Sequence, residues 1–220
     1  MKALALKELR ELRGIAAVAL VAYLILAARM MGVKAFDWVP GMPQNMEYPP
    51  FLSGEFLSFF SLLAGLFAIA LGFRQSAWES SQGTYLYLLH RPISRQAVFF
   101  TKLATGAGVF VACSAMPIVL YGWWAATPGR HPSPFRWSWS LPSWCMIAVL
   151  CLIYLGAFLS GLRPAKWFGT RLLPLAAAFV LAVLLWMLNW LVIGQIAALV
   201  FAVGVYVCAI RYVAQTRDYA

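Results

Sequence analysis

Acidic residues are nearly missing from this chain: Asp and Glu together number 7 in 220 residues. No two of them stand side by side within an apolar run, which excludes the paired carboxylates of intramembrane aspartyl proteolysis. Histidine is scarcer still. His90 and His131 are the whole complement, and neither has a partner at metal-ligand spacing, so no zinc or other metal site is expected. The four cysteines, Cys113, Cys145, Cys151 and Cys208, form no CxxC pair and read as small apolar packing residues. No GxSxG elbow, HExxH helix or GxxxxGK[ST] loop occurs, so the chain is expected not to be an enzyme and to hydrolyse no ATP by itself. Gly106 and Gly108 form a GxG inside an apolar run, where a close-packing notch explains them better than a phosphate cradle.

Charge of either sign is also sparse. Charged residues make up 11% of the chain and hydrophobic residues 63%, with a mean hydropathy of +0.80. That balance excludes an ordinary soluble domain and predicts an all-α integral membrane protein. Each crossing needs about 20 apolar residues. Uninterrupted apolar runs cover 14–31, 51–73, 98–124 and 141–162, and a last one extends from Leu172 to Ile210 without a charge. At about 1.5 Å per residue that last run is too long for one crossing and must turn back. Asn189 and Trp190 are the expected turn, dividing it into spans 172–188 and 191–212, for six transmembrane helices.

The basic residues orient the chain. With the N-terminus inside, only Arg29, Lys34, Arg130 and Arg136 fall outside, and the other 13 of the 17 Lys and Arg residues lie on the inner side. Both termini are therefore expected in the cytoplasm. The net charge of +10 reads as topology and contact with anionic membrane lipids rather than nucleic-acid binding. Residues 1–13, "MKALALKELRELR", carry charges throughout, unlike a cleaved signal peptide. Leu6, Leu9 and Leu12 at helical spacing predict an amphipathic interfacial helix ahead of the transmembrane domain, 14–220. The outer loops, rich in Pro and Trp, read as an aromatic belt. Glu55, in "FLSGEFLSFF", is the acid nearest an apolar interior and the candidate substrate or gate residue.

Between the second and third runs lies a polar insertion, 76–96. Ser76 and Glu79 in "SAWE" form an S-x-x-E capping box that predicts a new short helix after the second span ends near Arg74. Tyr85, Leu86, Leu88 and Leu89 give that helix an apolar side. Pro92 then breaks the path, and Ser94 caps the next helix, which carries Arg95 and Lys102.

The run Glu79, Gly83, Thr84 (E-x-x-x-G-T), followed by L-L-x-R-P-I-S-R from Leu88 to Arg95 and then Lys102, resembles the cytoplasmic segment of type-2 ATP-binding-cassette transporter permeases, the six-span exporter class. The resemblance implies a coupling helix between spans two and three that seats in a separate cytoplasmic ATPase subunit, which binds the ATP and Mg. It also implies pairing with a second permease copy, identical or related, in the bacterial inner membrane, and export of a hydrophobic or amphipathic substrate. On that reading Ser76 and Glu79 fix the start of the coupling helix and Gly83 allows close approach to the partner. Arg91 and Arg95 engage acidic rims or lipid phosphates, and Pro92 and Ser94 set the elbow. The rival reading is a membrane anchor or assembly subunit that recruits a cytoplasmic partner and moves nothing. A lipid-modifying enzyme would need an acid, a base and a nucleophile together, and the sequence offers no such set.

Overall fold

The computed structural model describes residues 2–33, 49–81, 94–130, 134–163, 170–187 and 192–216. Those residues form helices and connecting turns, with no strand among them. The helices are α1 (Lys2–Met30), α2 (Glu55–Ser81), α3 (Arg95–Ala126), α4 (Leu141–Leu162), α5 (Leu173–Met187) and α6 (Val192–Thr216), with a 3-10 turn at Trp137–Ser140 before α4. Five stretches are long and apolar enough to cross a membrane, and α5 is a shorter apolar helix. The chain is a multi-pass helical membrane protein. The end at which α1 begins is called the near end, and the opposite one the far end.

α1 is one unbroken helix of 29 residues. The segment 1–13 and the first span are thus continuous, and the leucine face expected there is divided. Leu4, Glu8 and Leu12, spaced by one turn, point inward, while Leu6 and Leu9 are exposed. The far end of α1 closes in a Schellman motif: Val33 N–H donates to Ala28 O and Gly32 N–H to Arg29 O, with Gly32 at φ 79°. Gly32 supplies the left-handed conformation that this closure requires.

α2 departs from expectation at both ends. Turns at 50–54 precede it, with Phe51 at φ 68° tucking its ring into the far-end core. The helix then runs on past Arg74 to Ser81. The predicted break at Ser76 is therefore corrected. Ser76 lies in the helix interior, fully buried, and its hydroxyl donates to Gly72 O at 2.6 Å rather than capping a new helix. No residue from 73 to 81 is a helix breaker, and the fall in hydropathy there marks a change of surroundings, not of backbone.

α4 is the centre of the bundle, and every residue from Leu152 to Leu162 is buried. It packs on α2 and α5 most extensively, while α1 packs on α3 and α2. Small residues make the α2–α4 contact close: a methyl group on Gly72 would come within 2.6 Å of Ala157 Cβ. On the other side of α4, one on Gly156 would lie 2.5 Å from Ala178 Cβ in α5. The far end is filled by aromatic rings. Phe51 contacts Phe56 and Tyr121 at centroid separations of 4.9 and 4.8 Å, Tyr121 stacks on Trp124, and the Trp137 ring lies over Gly122. Pro117 lies within α3, three residues past Ser114, whose hydroxyl is 3.0 Å from that of Tyr23 in α1.

The last two helices are bonded to each other at both ends of α5. Gln195 Nε2 of α6 donates to Leu185 O at 3.0 Å and the Tyr206 hydroxyl to Pro174 O at 2.8 Å. The turn expected at Asn189 and Trp190 lies outside the described residues.

Candidate functional site: a buried polar network at the near end

Four helices meet at the near end around Lys102. Its Nζ lies 2.6 Å from Glu8 Oε1, with both side chains essentially inaccessible to solvent, at 0% and 1%. Moving two charges out of water is expensive, and the cost is offset only by close, charge-assisted hydrogen bonding of this kind. The Lys102 carbonyl oxygen accepts a hydrogen bond from Gln75 Nε2 of α2 at 2.9 Å. The Tyr154 hydroxyl of α4 lies 2.7 Å from Gln75 Oε1 and 3.2 Å from Leu103 O, so it acts as a bifurcated donor. α1, α2, α3 and α4 are thus joined by one chain of polar contacts.

Gly106 makes the cluster possible. A methyl group there would collide with Gln75 Oε1 and the Tyr154 hydroxyl. Just beside it Ser76 rests against Gly161 of α4, where a methyl group would overlap the serine hydroxyl. The α4–α5 connection is secured in the same region. Arg171 donates from Nε to Ser160 O, which also accepts from Arg163 N, and from Nη2 to Gly161 O, binding carbonyls in the last turn of α4, and Ser160 Oγ accepts from Leu175 N at the start of α5.

The residues read from sequence as a coupling segment fall as follows. Ser76 belongs to the α2–α4 contact. Glu79 lies in the last turns of α2, and Arg95 is the first residue of α3. Ser94 stands at the N-cap of α3, its Oγ accepting from Ala97 N at 3.4 Å. Gly83, Thr84, Leu88, Arg91 and Pro92 lie outside the described residues. Glu55 opens α2 at the far end, remote from the network, and its Oε2 is shielded from solvent with no hydrogen-bond partner among the described residues.

Sequence reasoning missed the roles of Glu8, Gln75 and Tyr154, and it took Lys102 as a basic residue after the elbow and the last member of the permease-like pattern. One signal was present. Glu8 falls one helical turn from Leu4 and from Leu12, so it shares their face, and an acid on a leucine face calls for a buried cation.

The network contains no nucleophile paired with a base, and no group of three or more His, Cys, Asp or Glu able to hold a metal occurs among the described residues. The arrangement ties four helices to one another toward their near ends. Farther along, α2, α4 and α5 enclose an apolar groove of about 520 Å³, open to the side, with Leu62, Leu66, Ile153, Phe179 and Trp186 in its walls. No protein-family model, curated protein or solved structure matches the chain.

Proposed function

We propose that this chain is the membrane-spanning subunit of an ATP-driven transporter of the type-2 ATP-binding-cassette class, exporting a hydrophobic or amphipathic substrate. The observation that carries the reading is the reach of α2 and α3. At 27 and 32 residues they run for roughly 40 and 48 Å, against a hydrocarbon core of roughly 30 Å. Both are anchored to the bundle at Gln75 and Lys102. The segment bearing the E-x-x-x-G-T and R-P-I-S-R residues joins their near ends, where a cytoplasmic ATPase would grip it.

In this reading the near end is cytoplasmic, both termini lie inside, six spans cross a bacterial inner membrane, and a second permease copy completes the pathway. ATP and Mg are bound by the ATPase. Closure of the ATPase pair displaces the connection between α2 and α3, and the helices tied at Lys102 carry that displacement into the spans, switching the pathway between inward-open and outward-open or collapsed states. The apolar lateral groove suits a substrate that enters from the lipid phase.

The test is reconstitution of the chain in proteoliposomes with the candidate ATPase. ATP turnover that rises with a transported hydrophobic probe, and that is absent from either component alone, is the expected result. Stable ATPase capture without stimulated turnover or transport overturns this reading in favour of a non-transporting anchor.

A further inference from the structure

We propose that Glu8 and Lys102 are positioning residues that make the first three turns of α1 travel as one body with the first two turns of α3. The coupling consequence rests on the transporter reading above. The geometry of the pair rests on the structure alone.

Lys102 is held from two directions at once. Its ammonium group meets Glu8 of α1, and its carbonyl oxygen meets Gln75 of α2. It stands about two helical turns beyond Ser94, the N-cap at which the chain enters α3. A displacement that enters α3 at Ser94 therefore meets, at Lys102, a residue to which two other helices are attached. The contact with α1 is of a particular kind. Two fully buried opposite charges cannot part without leaving each in a medium that solvates it poorly, so they separate less readily than an apolar contact slides. The opposite face of this part of α1 is exposed at Leu6, Leu9, Arg10 and Arg13. The inward stripe of Leu4, Glu8 and Leu12 is what ties it down, and Glu8 is its charged member. A surface-lying amphipathic helix would have no use for an inward carboxylate; a strut has.

The experiment uses the full chain in liposomes, with Cys113, Cys145, Cys151 and Cys208 replaced by Ala and spin labels placed at the exposed positions 6 and 104. A single narrow distance is expected in the parent. Lys102→Met should broaden it, and the exchanged pair Glu8→Lys/Lys102→Glu should restore it. An unchanged distribution in Lys102→Met, or an exchanged pair as broad as the single variant, overturns the clasp. Should Lys102→Met fail to reach the membrane, Glu8→Gln, which keeps an acceptor oxygen and drops the charge, takes its place with the same expected broadening. In a second arm, with the ATPase present, Lys102→Met should retain ATPase capture while transport per ATP falls at least tenfold, and the exchanged pair should recover to within threefold. Arg136→Ala at the far end serves as control. A parent that transports alongside a Lys102→Met variant equally well coupled overturns the positioning role and leaves the transporter reading intact. A parent that neither captures an ATPase nor transports overturns the transporter reading, and the coupling role falls with it.

Discussion

Ser76 and Gly161 touch so closely that a single methyl group on the glycine would overlap the serine hydroxyl. The contact draws α2 against α4 at the near end, and neither residue is replaceable by a larger one without moving a helix. Gly161→Leu should destabilise the folded protein by about 1–3 kcal/mol through overpacking. Gly108→Ala, at an exposed site where a Cβ meets nothing within 4 Å, should stabilise it by about 0.5–1 kcal/mol. Thermal midpoints in detergent provide the comparison, and equal shifts of the same sign would contradict the packing argument.

Tyr154 and Gln75 form the second seam of the same contact. Tyr154→Phe removes the hydroxyl that donates to Gln75 Oε1 and Leu103 O, at an expected cost of about 1 kcal/mol. The double variant Tyr154→Phe/Gln75→Leu should cost less than the sum of the two single variants, because the pair acts as a unit. A double-mutant cycle on unfolding measures the coupling, and strict additivity would show that the two groups do not interact.

At the α5–α6 hairpin, Gln195→Leu and Tyr206→Phe each delete a bond to an α5 carbonyl. Such interhelical bonds contribute about 0.6 kcal/mol each in a membrane. The double variant should thus lose roughly 1 kcal/mol and raise amide exchange across Leu173–Met187 while α4 stays protected. Unchanged exchange in α5 would mean that apolar packing alone holds the hairpin.

Orientation is open to a labelling experiment. Single cysteines at Arg163 and Gln215 should react with an impermeant reagent only after the membrane is opened, and one at Asn189 should react from outside. Labelling of Gln215 from outside would sink the six-span topology with both termini in the cytoplasm.

The sequence was most legible where a helix coincides with its apolar run. α4 begins and ends at Leu141 and Leu162, the same bounds that hydropathy assigns: its apolar second half is buried without a break from Leu152, and the helix ends where the chain turns extended at Arg163. The final apolar run divides into α5 and α6 as its length demands. Reading failed at Ser76, where S-x-x-E has the chemistry of a cap. Local chemistry loses there to a continuing helix whose small residues are needed by α4, and Arg74, set over the Trp78 ring at 4.7 Å, remains inside that helix rather than ending it. The network itself was illegible for a different reason. Glu8 and Lys102 are 94 positions apart, and no periodicity joins residues whose proximity is decided by how four helices pack.

Pro117 gives α3 an uneven stiffness. It has no N–H to return to the carbonyl one turn earlier, so the helix lacks one of its internal bonds between a far part held by aromatic rings and a near part held at Lys102. From Pro117 to Arg95 the arm is roughly 33 Å long at about 1.5 Å per residue. A bend of about 10° at the proline would sweep the arm's tip through roughly 6 Å. The far-end aromatic plate need not shift by a comparable amount. On the transporter reading, such leverage in the covalent backbone of one helix would let a large stroke at one face of the membrane leave the other nearly still.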